Sequence, residues 1–204
     1  MGKKNVAKRG EIAFDADGWA SGSSHPIRRV PSPNHDERPE GVVPSLLVIH
    51  NISLPPGEFG GGAIEALFTN ALDHDAHPCY TTLRGLRVSA HFLVARDGTL
   101  IQFVACDMRA WHAGVSSFEG RERCNDFSIG IELEGVDTSA FEPSQYATLT
   151  ALTDALIKRY PIEAIAGHSD IAPGRKTDPG PHFDWPFYLA QIQSNIRVPY
   201  LVPR

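Results

Sequence analysis

A chain of 204 residues with 19 Lys and Arg against 24 Asp and Glu has a formal charge of −5, and 42% of its residues are hydrophobic against 21% charged. That balance fits one compact globular domain rather than a disordered chain, offers no basic footprint for nucleic acid, and contains no apolar run near the ~20 residues that a membrane helix needs. Three cysteines (Cys79, Cys106 and Cys124), scattered singly and odd in number, supply neither a disulfide framework nor a CxxC metal pair, which points to a reducing compartment.

The chain opens on the basic MGKKNVAKRG, but EIAFDADG follows where a signal peptide would carry its apolar stretch. Residues 1–18 are therefore expected to form a loose extension of a cytoplasmic protein. Ser23 to Pro44 is rich in Pro and polar residues without a helical period, and predicts an extended arm on the surface. SLLVIH, Ser45 to His50, is a short apolar run that predicts a buried strand ending in a histidine. AIEALFTNAL places Ile64, Leu67, Phe68 and Leu72 on one helical face. VSAHFLVARDGTLIQFV reads as two strands joined at Asp97-Gly98, the strongest short hairpin signal. FSIGIELEG alternates, with Phe127, Ile129, Ile131 and Leu133 on one side and Ser128, Gly130, Glu132 and Glu134 on the other. An amphipathic helix is predicted from about Ser144 to Tyr160, stopped by Pro161. IEAIAGH predicts one more strand ending in a histidine, and a last helix is expected from Phe187 to about Ile196. The final Leu-Val-Pro-Arg, residues 201–204, has the form that a cleaved thrombin-site linker leaves or is a native ending, and carries no functional weight. Strands alternating with helices, plus one hairpin, predict an α/β fold: a single domain over residues 19–200 with a central mixed β-sheet flanked by helices.

His50 and His168 both stand where an apolar strand gives way to a loop, the place where ligand sites gather in α/β sheets. Asp178 follows in the second of those loops, with Lys176 on the same side of an extended Lys-Thr-Asp. Two neutral imidazoles and one carboxylate make a three-ligand zinc site that leaves a position for water, the arrangement of a hydrolytic enzyme. A strand-end histidine is more often a hydrogen-bonded structural residue than a ligand, and no local HExxH spacing raises the metal reading above that one.

Longer stretches do. RRVPSPN, SLLVIHNISLPPGEFGG, LRVSAHFLV, RAWHAGVSSFEGRERCNDFSIGIELEG and GHSDIAPGRKTDPGP, spread from Trp19 to Trp185, resemble the zinc-dependent N-acetylmuramoyl-L-alanine amidases of the phage-lysozyme and peptidoglycan-recognition type. Within that family they are most similar to the cytoplasmic branch that cleaves 1,6-anhydro-muropeptides. The resemblance implies the amidase α/β fold, a Zn2+ cofactor held by His50, His168 and Asp178, Glu132 as general base and Lys176 stabilising the oxyanion. Asp at the third ligand position is itself informative, since phage-type and secreted relatives generally carry Cys there. The implied partner is a small-molecule muropeptide, with no protein partner assigned.

Asn51, after the first ligand, looks like the family's sugar-contacting position. Trp111 and His112, in AWHAG, are candidates for an apolar wall and a hydrogen-bonding edge, with core packing as the competing role. Arg87 and Arg123 are candidates to pair with stem-peptide carboxylates, or form surface salt bridges. His91 on the hairpin either lines the cleft or is a buried structural residue. One departure stands out: close relatives carry Tyr directly after the His-Pro of the mobile loop, whereas His77-Pro78 is followed here by Cys79 and then Tyr80. A binding module that recognises cell-wall fragments without cleaving them is the rival class. A Ser hydrolase lacks its GxSxG elbow here.

Overall fold

The computed structural model of the chain describes residues 12–22, 27–192 and 196. Along it run the strands β1 (Ile12–Phe14), β2 (Ala20–Gly22), β3 (Ile27–Arg29), β4 (His35–Glu37), β5 (Leu46–Ile52) and β6 (Phe92–Val94). They continue with β7 (Leu100–Gln102), β8 (Met108–Ala110), β9 (Ser117–Phe118), β10 (Arg121–Glu122), β11 (Ser128–Glu134) and β12 (Ala164–Gly167). The helices are α1 (Ala63–Phe68), α2 (Pro143–Arg159), α3 (His168–Ile171) and α4 (Trp185–Leu189). Six strands make one mixed sheet in the order β12-β5-β11-β6-β7-β3. Its neighbours are parallel except β6 and β7, which form the antiparallel hairpin expected at Asp97-Gly98.

The hairpin closes because Gly98 takes a φ of +87° and the Asp97 carboxylate accepts the Thr99 N–H at 2.8 Å. It is then docked on α2: Ser144 and Thr148 donate their hydroxyls to the Arg96 and Gly98 carbonyls, each at 2.7 Å. The α2 helix begins at Pro143 and stops before Pro161, as predicted. Its Gln145 ties the layers together by donating to the carbonyls of Val94 in β6 and Glu134 in β11.

The central strands β5 and β11 are buried on both faces, as parallel strands between two layers must be. Leu47, Ile49, Ile129, Ile131 and Leu133 pack with Leu149, Leu152 and Leu156 of α2. On the opposite face, Leu46 and Val48 pack with Ala113, Cys124, Phe127 and Ile171. Each fully buried Leu or Ile here contributes roughly 1.5–3 kcal/mol relative to exposure. The polar half of the β11 alternation is thus an interior face covered by loops, and what it carries at the strand's C-terminal end is the site.

Three expectations need correction. Residues 12–18 are not a loose extension. β1 and β2 form an antiparallel pair, and Ile12, 5% exposed, joins the main core. Phe14 packs edge-on against Phe92 and Tyr160, and the Gln102 side chain holds the Gly18 carbonyl and the Ala20 N–H. Burial of Ile12 and Phe14 outweighs the polar composition of the segment. The arm from Ser23 to Pro44 is extended, but it is part of the sheets: β3 adds to β7 and β4 pairs with β8, while residues 23–26 lie outside the described residues. The last helix is short and earlier than expected, Trp185–Leu189, started by Asp184, whose carboxylate accepts the Phe187 N–H at 2.9 Å. Residues 193–195, 1–11 and 197–204, including the terminal Leu-Val-Pro-Arg, lie outside the described residues.

Candidate metal centre

β11 is paired to β5 so that Glu132 stands opposite His50, and β12 is paired to the other side of β5 so that Gly167 stands opposite Ile49. His168 follows Gly167 as the first residue of α3. Three neighbouring parallel strands thus deliver His50, His168 and Glu132 at one C-terminal edge, where open α/β sheets bind ligands. The loop after α3 returns Asp178, whose carbonyl accepts the Ser169 N–H at 2.9 Å.

His50, His168 and Asp178 converge in a triangle. Nδ1 of His50 lies 2.9 Å from Nδ1 of His168, and each is 3.0 Å from Asp178 Oδ2. The imidazoles are buried and the Asp178 carboxylate is 13% exposed. Burial pushes the His50 pKa down to about 4, which leaves the ring neutral at physiological pH. Burial alone would raise Asp178, but the two imidazoles outweigh it and hold the carboxyl well below the usual carboxylate range. The result is two imidazole nitrogens and one carboxylate oxygen, grouped closely enough to hold a metal ion.

Glu132 is 8% exposed, and its Oε2 is buried without a hydrogen-bond partner. Burial first, and the Asp178 charge second, push its pKa well above the usual carboxylate value, while Lys176 pulls it down. Lys176 itself is on the exposed loop two residues before Asp178, close enough for its charge to bear on both Glu132 and His50.

The remaining candidates divide. The Trp111 indole N–H donates to Asp36 Oδ1 at 3.0 Å, and Asp36 is in turn held bidentately by Arg109. Trp111 and Arg123 line one cleft of about 470 Å3 together with Asp36, Arg109, Gly114, Val115 and Asn125. Arg123 also borders a second cleft of about 570 Å3 that reaches Ile171 and Arg175. Arg123 is 70% exposed and pairs with Asp126 at 3.2 Å. Arg87 is exposed and lines neither cleft.

Two histidines are not cleft edges. His91 is fully buried: its Nδ1 accepts the Gly130 N–H at 3.0 Å and its Nε2 lies 3.1 Å from the Met108 carbonyl, so it is a structural pin between strands. His112 has both ring nitrogens engaged, Nδ1 with His50 Nε2 at 2.9 Å and Nε2 with Ser128 Oγ at 3.1 Å, and has no nitrogen left for a sugar. Asn51 is turned by the alternation of β5 to the face opposite His50. Its amide NH2 donates to Asp137 Oδ1 at 2.6 Å and to the Pro179 carbonyl at 3.0 Å, which braces the Asp178 loop. Tyr80 is buried against Ile64, Leu67 and Phe68 of α1, where it serves packing. Sequence reasoning missed Asp36, Ser128 and Asn125. Ser128 was visible, since it shares the Glu132 side of the β11 alternation.

Two imidazoles and a carboxylate at the ends of adjacent parallel strands, joined by a second carboxylate from the following loop, define an α/β protein with a site that could hold a metal ion. The chain belongs to the N-acetylmuramoyl-L-alanine amidase family, whose profile matches residues 40–181. It is 61% identical over 170 residues to the 1,6-anhydro-N-acetylmuramyl-L-alanine amidase AmpD of Escherichia coli K12, covering 82% of this chain and 91% of that protein. To the AmpD of Citrobacter freundii it is 60% identical over 178 residues, 86% and 93% of the two chains. Among solved structures, a selenomethionine AmpD derivative superposes with a TM-score of 0.83 at 59% identity, over 88% of this chain and 98% of that one. The E. coli amidase AmiD, solved with the substrate anhydro-N-acetylmuramic acid-L-Ala-D-γ-Glu-L-Lys, gives 0.55 at 30% identity over 90% and 66%. No helix among the described residues is long and apolar enough to cross a membrane.

Proposed function

We infer that this chain hydrolyses the amide bond between 1,6-anhydro-N-acetylmuramic acid and L-alanine in muropeptides, as part of cell-wall recycling in the cytoplasm, with zinc held by His50, His168 and Asp178. The observation that carries the reading is the convergence of those three side chains beside the buried, unpartnered Glu132 in a chain about 60% identical to amidases of that specificity. Three free cysteines agree with a reducing compartment.

The donor set fits zinc: neutral imidazoles and one carboxylate, with edges of 2.9–3.0 Å that need only slight opening to reach the about 3.3 Å between ligands around a tetrahedral ion with bonds of about 2.0–2.1 Å. The chemistry zinc supplies at such a site is a lowered water pKa and a polarised carbonyl. Glu132 Oε2, free of other partners, takes the proton of the attacking water and returns it to the alanine nitrogen as the C–N bond breaks. The Lys176 ammonium, whose charge bears on both Glu132 and His50, meets the negative charge that develops on the carbonyl oxygen. Trp111 offers the sugar an apolar face whose orientation Asp36 fixes, and Arg123, on the same cleft, meets stem-peptide carboxylates, a role for which nothing in the structure favours Arg87.

Mass spectrometry of a defined anhydro-muropeptide after incubation is expected to show free stem peptide and 1,6-anhydro-N-acetylmuramic acid, a cleavage stopped by chelator and restored by zinc. Substrate bound but uncut by protein carrying one zinc per chain would mark a recognition module instead.

A further inference from the structure

The loop that was expected to form a substrate wall has a second face, turned to the metal ligands. Cys124 C=O can only accept a hydrogen bond, so the Ser128 hydroxyl, 2.6 Å away, donates to it. Ser128 Oγ is then the acceptor for the Nε2–H of His112 at 3.1 Å, which leaves Nδ1 of that neutral ring as an acceptor. His50 must therefore donate its Nε2–H across the 2.9 Å to His112, and its own Nδ1 is left bare toward His168 and Asp178. The next residue does the same for the second ligand. Ala113 C=O can only accept, so His168 donates its Nε2–H at 3.1 Å and turns its Nδ1 toward His50 and Asp178.

Residues 112 and 113 are themselves held by side chains: Asn125 Oδ1 accepts both of their backbone N–H groups, at 3.1 and 2.8 Å, and Arg175 donates to the Ala113 carbonyl at 2.7 Å. Room for the His112 ring comes from Gly130, where a Cβ would stand 2.4 Å from the His112 Cγ. Three unprotonated donor atoms about 3 Å apart repel one another unless a cation lies among them, so the outer hydrogen bonds hold the triangle ready for one.

We propose that His112 and the Ala113 carbonyl, pinned by Asn125, are the positioning layer of the metal centre: through two separate hydrogen bonds they fix both ligand histidines as Nε2–H tautomers, with Nδ1 free for the ion. The inference rests on the zinc reading above for its purpose. It accounts for a histidine whose two nitrogens are both turned inward and for an asparagine with no other assigned task.

Two measurements test it. In metal-free wild-type protein, nitrogen-15 NMR of the imidazoles is expected to show His50 and His168 protonated at Nε2; a proton on Nδ1 of His50 would overturn the proposal. In chelator competition, His112→Phe should bind zinc roughly 10–100-fold more weakly, whereas His112→Asn, which keeps an acceptor near the Nδ1 position, should stay within roughly three-fold of wild type. A folded His112→Phe protein that binds zinc as tightly as wild type would equally overturn it. The spectrum needs no variant and no metal. Should wild-type protein bind no zinc at all, the zinc reading falls, and the tautomers still decide the positioning role.

Discussion

Asp178→Ala is expected to remove zinc and amidase activity together while leaving the fold intact. Asp178 supplies the only negative charge among the three donors, since the other two are imidazoles. Losing an outer hydrogen-bond partner of a metal ligand costs roughly 10–100-fold in affinity, and losing the anionic ligand itself should exceed the upper end of that range. Structural damage should be small. The Asp178 contribution to the chain path is its backbone carbonyl on Ser169, which alanine retains, and Asn51 still braces Pro179. Metal analysis of the purified variant with circular dichroism checks this. Stoichiometric zinc in the alanine variant would remove Asp178 from the ligand set.

Glu132→Gln should separate chemistry from metal binding. The substitution keeps shape and removes the ability to carry a proton, so zinc content and KM are expected to be unchanged while kcat falls by roughly 10²–10⁴-fold. The same variant has a signature in stability. Because burial raises the Glu132 pKa in the folded chain above its unfolded value, the contribution of this carboxyl to stability is full below the unfolded pKa and is lost as pH rises toward the folded one. Glutamine escapes that loss. The Tm of metal-free Glu132→Gln relative to wild type should therefore rise from pH 5 to pH 8. A variant with wild-type kcat would reassign the base, and a Tm difference independent of pH would place Glu132 in a hydrated setting.

The strands that carry the site were legible because each is a short apolar run ending in a chemically active residue. SLLVIH and IEAIAGH announce their histidines, and the alternation of FSIGIELEG already sets Glu132 apart from Ile131 and Leu133. Alternation could not say whether the polar side faces water or a second layer. That is decided by loops from several parts of the chain: His112 and Cys124 engage Ser128, and the Gly60 and Arg96 N–H groups close on Glu134. The roles of His91, His112 and Asn51 were illegible for a related reason. A histidine or asparagine is assigned by what its polar atoms meet, and here the partners lie 39, 62 and 128 residues away in sequence. The β1–β2 hairpin was hidden by composition: its few apolar side chains gain their stability from Phe92 and Tyr160, both distant in the chain.

At the centre of this account stands one geometrical claim, that a single zinc ion is bound by Nδ1 of His50, Nδ1 of His168 and an Asp178 oxygen. Anomalous diffraction from a crystal of the zinc-loaded protein, recorded on both sides of the zinc absorption edge, tests it most directly. The account predicts one peak per chain, about 2.0–2.1 Å from both Nδ1 atoms and an Asp178 oxygen, with His112 still on Nε2 of His50. A peak held through the Nε2 atoms, or centred on His77 and Cys79 with the triangle empty, would contradict it.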